Sequence, residues 1–224
     1  MDVFWPRDLL VPKRVDFWPE TMSRSGGRAV TGAETLVMSA SVRWRASMSF
    51  AFSTRETDKI LTWRAIRGRL YGRARPLLIG PFDIVTPARL AGEAGTMEST
   101  FDDDAPFADG STFQQTSREA EFVSAASLRD TVVTISPIGD WTPKAGQYFG
   151  PEEGRMHQIN AMWETTGGWS CEIIPPLRAD YPYGQTLDFE NMTCRMRLSA
   201  DDGMRSPIDV STLADPTIEL EEIV

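Results

Sequence analysis

From Glu119 to the C-terminus the chain breaks into short alternating runs with hard stops between them: AEFVSAAS, TVVTISPI, QYFG, MHQINAMWE, WSCEII, TLDFENMTCRMRLS and TIELEEIV. Period-two alternation sends successive side chains to opposite faces, so each run reads as a half-buried strand. Stops of Gly, Pro, Asp or Asn every eight to twelve residues or so are those of an antiparallel sandwich or barrel. The segment TGGWSCEIIPPLRADYPYGQTL, residues 166–187, shows the punctuation. Gly167-Gly168 is expected to turn tightly into WSCEII, Pro175-Pro176 to end ladder pairing, and Tyr183-Gly184 to support the turn into TLDFEN.

The first half adds a helix. VRWRASMSFAF places Trp44, Ala46, Met48, Phe50 and Phe52 on one strand face and Arg45, Ser47 and Ser49 on the other. The period then changes: Ser53-Thr54-Arg55-Glu56 fits a capping box, and Ile60, Trp63, Ile66 and Leu70 recur at helical spacing until Gly72. One amphipathic helix is expected at about residues 54–71, its apolar stripe on a sheet. The fold class read from this pattern is mainly β, an antiparallel sandwich or barrel carrying that single helix. PLLIGPFDIVTPARL reads as a brief strand and its exits, and AGEAGTMESTFDDDAPFADGSTFQQ as a long acidic surface loop.

The triplet FWP occurs at Phe4–Pro6 and again at Phe17–Pro19. Proline cannot donate to a ladder, so residues 1–27 are expected to form an extended arm with aromatic anchors, packed on its own domain or on a neighbouring subunit. SRSGGRAVTGAE, residues 23–34, reads as a flexible connection. The expected organisation is the arm at 1–27, a β domain with the helix and the acidic loop at 28–125, and a compact barrel-like region at 126–224, the last two being one domain or two. Phe4, Trp5, Phe17, Trp18, Arg24 and Arg28 are the candidate subunit-contact residues, because arginine and aromatic side chains are enriched at interfaces.

Charge and composition narrow the function classes. The net charge is −9, with 23 basic and 32 acidic residues, which opposes nonspecific nucleic-acid binding, since that needs a basic face to neutralise phosphates. Arg64, Arg67, Arg69, Arg73 and Arg75 do cluster, and read as a solvated helix face or a subunit contact. Without an apolar run of membrane-spanning length or a signal-peptide core, the chain is expected to be made and kept in a cytosol. Cys171 and Cys194 are expected to be reduced thiols on strands.

No chemistry-bearing constellation stands out. His157, the single histidine, lies on an expected strand with no Gly-x-Ser-x-Gly elbow, and reads as a locally hydrogen-bonded strand residue. Asp102, Asp103, Asp104 and Asp109 attract a calcium reading but lack the EF-hand spacing, so a solvated acidic loop is expected and no metal or other cofactor. A glycosidase pair is defined by spatial separation, and nothing singles out two carboxylates. Trp44, Trp63 and Trp169 fall on apolar faces and are expected in the core. Trp5, Trp18 and Trp141 lie in loops, where a carbohydrate-binding reading stays open.

As an ordered set, GRAVTG, RWRASMSFAF, WRAIRGRLYG, DDDAPFADGSTF, AGQYFG, RMHQIN, WSCEIIPPLR, MRL and TIELEEIV resemble the small distal tail proteins of siphophages and related prophages, over about residues 27–224. The compact β domain of that family is matched at Gly146, Tyr148, Phe149, Gly154, Arg155, Ile174, Pro175, Leu177 and Arg178. The doubled FWP segment departs from it. The resemblance implies a virion structural protein at the tail tip, assembled in the host cytoplasm, with no catalytic residues. Its implied partners are other copies of itself in a ring, a hexamer, together with the tail tube protein and the hub or fibre proteins, and neither membrane nor specific nucleic acid. A tail-completion protein, a fibre adaptor and a carbohydrate-binding host-recognition module are the alternatives.

Overall fold

The computed structural model describes residues 2–28, 31–32, 34–38, 41–53, 55–82, 97–99, 113–115, 118–205 and 213–223. It is mainly β, with one helix among those residues, and its strands sort into two bodies.

The first body is a six-stranded sheet drawn from both ends of the chain. Its strands are β1 (Val3–Phe4), β2 (Arg14–Glu20), β5 (Arg43–Ser49), β7 (Leu77–Ile79), β16 (Cys194–Leu198) and β18 (Thr217–Glu222), in the spatial order β1-β7-β16-β18-β5-β2. All pairs are antiparallel except β1 with β7. The short strands β6 (Phe52–Ser53) and β17 (Leu213–Ala214) pair beside it.

The inward face of this sheet carries Trp44, Ala46, Met48, Ile218, Leu220, Cys194, Met196 and Leu198, all buried as the alternation requires. Against it lies the helix α1 (Thr57–Leu70), whose Trp63, Ile66 and Leu70 are buried. Trp63 stacks edge-on against Trp5, Phe50 and Phe52 with ring centres 5.1–5.9 Å away, a geometry in which the positive ring edge meets a negative ring face.

The helix starts three residues later than the capping pattern predicts. Glu56 is its N-cap, and the Glu56 carboxylate accepts from the Ser53 backbone N–H at 3.0 Å, so the box closes a turn that precedes the helix instead of opening it. The end is as expected: Tyr71 takes left-handed backbone (φ 48°) and Gly72 follows at φ 66°.

The second body is a closed six-stranded antiparallel barrel built from one continuous stretch. Its strands are β10 (Glu119–Phe122), β11 (Val132–Ile138), β12 (Tyr148–Glu152), β13 (Arg155–Thr165), β14 (Gly168–Ile174) and β15 (Thr186–Asp188). Closure runs through β10 and β15, paired from Glu119↔Asp188 to Glu121↔Thr186. Phe122, Ile135, Phe149, Ile159, Cys171, Leu187 and Phe189 fill the interior, the packing expected of a barrel this narrow. The turn into β14 is the predicted one, Thr165 pairing with Gly168 across two residues. Only glycine fits at 168, because a Cβ there would run into the Ile135 carbonyl.

Two expectations about organisation are corrected. Residues 1–27 are not one extended arm beside the domain: of the two placements expected, β1 and β2 take the one on their own domain, as strands of the first body, while Ser23–Arg28 lies outside that sheet, and Pro19 is tolerated in β2 because that strand is the sheet edge. The chain also does not divide near residue 125. The barrel is inserted between strands that belong to the sheet, an arrangement that pairing reveals and local pattern does not.

Residues 23–34 and the acidic segment hold two further hairpins, where connection and loop were expected. β3 (Ser23–Arg28) pairs with β4 (Glu34–Met38), and β8 (Met97–Ser99) with β9 (Phe113–Gln115). The calcium candidates Asp102, Asp103, Asp104 and Asp109 lie outside the described residues.

Candidate functional site: a projecting arm and the clamp behind it

Strands β3 and β4 continue the same two chain segments that pair as β2 and β5. The β2/β5 ladder runs from Arg14↔Ser49 to Glu20↔Arg43, and pairing resumes at Ser23↔Met38, Arg24↔Val37 and Ser25↔Leu36. The two ladders follow the same pair of chain segments with a change of register between them: the proximal one belongs to the sheet, and among the described residues the distal one pairs only with itself. At about 3.3 Å per residue, the distal strand adds roughly 17 Å beyond the sheet.

Every described side chain over residues 21–28 and 34–37 is exposed. Met22, Leu36 and Val37 are 58%, 61% and 62% accessible. Two isolated strands are marginal in water and gain little from a face that buries nothing.

The candidate contact residues divide along this line. Arg24 and Arg28 sit on the arm; Arg28 lies opposite Glu34 and donates from Nε to the Gly32 carbonyl at 3.3 Å. Trp18 and Phe4 are exposed on the outer face of the sheet. Phe17 is half-buried against Trp44, ring centres 5.4 Å apart. Trp5 is withdrawn from the list: it is buried in the sheet body, donates from Nε1 to the Leu10 carbonyl at 2.9 Å, and has no surface to offer a partner.

Trp141 is likewise buried, plugging one end of the barrel with its Nε1–H shared between the Glu119 and Ile138 carbonyls at 3.1 Å each. Of the three loop tryptophans considered for carbohydrate, only Trp18 is exposed. Trp44 and Trp63 are core as predicted, and Trp169 packs partly buried against the barrel core.

Behind the root of the arm, the two bodies are locked by charge. Arg178, in the loop that leaves β14, pairs with Glu222 of β18 at 2.9 Å, both nearly inaccessible. The same guanidinium donates to the Val42 carbonyl at 2.5 Å, just before β5. Glu222 also accepts from the Trp44 backbone N–H at 2.9 Å, and the Trp44 indole N–H donates to the Met156 carbonyl of the barrel at 2.6 Å. A buried carboxylate and guanidinium are tolerated here because each finds further partners.

His157 adjoins this clamp, fully buried, its Nδ1 2.8 Å from the Pro175 carbonyl. That carbonyl can only accept, so Nδ1 carries a proton. Burial pushes the imidazole down to about 4, the Pro175 hydrogen bond opposes the shift, and Arg178 and Arg155 reinforce it. Among the described residues no nucleophile or carboxylate is hydrogen-bonded to the ring, which bonds locally as expected from sequence.

Sequence reasoning missed the clamp, though a signal for it exists. In TIELEE, Ile218 and Leu220 set the inward phase and Glu222 falls on it, an acid where an apolar residue belongs. Arg118 is the same kind of exception, in phase with Ala120 and Phe122 and buried, with its Nε and Nη2 unbonded.

Both cysteines are free and buried, on β14 and β16 as expected. Among the described residues no group of His, Cys, Asp and Glu is arranged to hold a metal, and no helix is long and apolar enough to cross a membrane. No family model matches the chain, and no curated protein is similar to it.

Proposed function

We propose that the chain is a ring-forming structural protein of a phage tail tip, joining the tail tube to the hub or fibres. The observation that carries this reading is the arm: a self-paired ladder that follows the edge pair β2/β5 along the same two chain segments and exposes Met22, Leu36 and Val37 beside Arg24 and Arg28. A subunit that must grip its neighbour needs such an extension anchored in a rigid body, and the Arg178–Glu222 clamp stiffens the base of this one.

The resemblance to siphophage distal tail proteins supplies the context of a virion. The acidic balance suits a tube through which DNA moves, because a negative lumen does not trap phosphate. In a closed cyclic ring each contact joins two different patches, so the arm of one copy meets a surface of the next that is not an arm.

The test is assembly of the full chain against a variant in which residues 22–41 are replaced by Asn-Gly, a two-residue hairpin turn that closes Thr21 onto Val42 and spares both bodies. The mass in solution and electron micrographs should show a ring for the first and a folded monomer for the second. An antibody to the chain should label particles at the tail end. A wild-type chain that stays monomeric and labels no particle would point to a free module instead.

A further inference from the structure

The outer face of α1 is at odds with the rest of the molecule. Residues 55–75 hold seven of the chain's 23 basic residues and two of its 32 acidic ones, a net of +5 that leaves −14 on the remainder. Arg64, Arg67 and Arg69 are exposed and make no ion pair among the described residues, unlike Arg73, which reaches Glu221 at 2.6 Å.

Between these arginines, opposite Trp63, Ile66 and Leu70, run Leu61, Ala65 and Gly68 at i, i+4 and i+7, all exposed. Gly68 is the telling residue. Mid-helix glycine costs about 1 kcal/mol relative to alanine, yet a Cβ at 68 would meet nothing within 4 Å. Among the described residues nothing in the monomer calls for a glycine there. A partner approaching the helix backbone closely does.

A surface of the required sign exists on the other body. Beside the turn from β12 to β13, a cleft of about 360 Å³ gathers Glu152, Glu153 and Asp188 with Asn191, Thr186 and Thr193. Glu153 has no partner among the described residues, and Glu152 holds only the Tyr181 hydroxyl at 3.1 Å and Arg155 at 3.7 Å. We infer that the Leu61–Ala65–Gly68 face of α1 docks on a second copy of this chain, its flanking arginines entering the Glu152–Glu153 cleft of that copy. The inference rests on the ring reading, and names a head-to-tail joint within it. Helix and cleft are different patches on different bodies, as such a joint requires.

Charge reversal tests the joint. R64E/R67E/R69E and E152K/E153K should each weaken self-association by about a hundredfold, since like charges then face each other. An equimolar mixture of the two should recover it, because every helix again meets a cleft of opposite sign. Misfolding cannot produce that recovery.

Gly68→Gln gives a second readout: it should raise the melting temperature of the monomer and lower its assembly. Wild-type assembly should also weaken as salt rises, exposed charges being screened beyond about 8 Å at physiological ionic strength. If wild type and both reversals assemble alike, the joint is overturned and the ring stands. If wild type is monomeric at every concentration tried, ring and joint fall together.

Discussion

Arg178 and Glu222 lie 44 positions apart, in different bodies, and meet at 2.9 Å with side chains 10% and 2% accessible. Removing one partner of such a pair strands the other in a poor dielectric, which costs about 3–5 kcal/mol, whereas replacing both by apolar groups of similar size is often near neutral. Arg178→Met should therefore lower the urea midpoint severely, and Arg178→Met with Glu222→Leu should recover much of the loss. A double variant as unstable as the single one would show that the bonds to Val42 and Trp44 matter more than the charge pair.

His157 makes stability depend on pH. Its folded value is depressed to about 4 from an ordinary 6.5, so between these values the unfolded chain takes up a proton that the folded one refuses. Stability is then full above pH 6.5, falls as pH drops towards 4, and loses nothing more from this group below that. The total is about 3 kcal/mol at roughly 1.4 kcal/mol per pH unit. Denaturant midpoints measured from pH 7 to pH 4 should slope downward in wild type and flatten over that window in His157→Gln.

Much of the fold was legible because most strands obey one rule. In β5, Trp44, Ala46 and Met48 are inward and Arg45 and Ser47 outward, as the alternation demands, and α1 declares itself by Ile60, Trp63, Ile66 and Leu70. The arm was not legible, because SRSGGR has no buried face and so no apolar period. The insertion of the barrel was not legible either, since Val3 pairing with Leu77, and Met196 with both Leu77 and Glu222, are long-range facts that no local window contains. The clamp was half-legible: Arg178 is conspicuous after two prolines, but only the phase of β18 reveals that Glu222 points inward.

The arm should be separable from stability. Leu36 and Val37 contact nothing that buries them, so Leu36→Asp with Val37→Asp should shift the unfolding free energy by no more than about 0.5 kcal/mol, the ordinary range for exposed sites. Assembly by mass in solution should nevertheless be lost. A large drop in melting temperature would mean that the arm folds back on its own body, and would remove it as an intersubunit element.

The two free thiols report on the two bodies separately, and so measure how tightly the clamp couples them. Cys171 lies inside the barrel and Cys194 inside the sheet. Burial pushes the Cys171 thiol up to about 12 and raises Cys194 well above its ordinary value, so neither is a thiolate at neutral pH. Neither should react with a thiol reagent in the native protein. As denaturant rises, both should become reactive over one and the same transition, because Trp44, Met156, Arg178 and Glu222 tie the opening of one body to that of the other. In Arg178→Met the charged part of the tie is lost and the Trp44–Met156 bond is left to couple the bodies alone, and mass spectrometry of the labelled chain should find the two transitions separated. Two separate transitions already present in wild type would show that barrel and sheet unfold independently despite the buried charge pair between them.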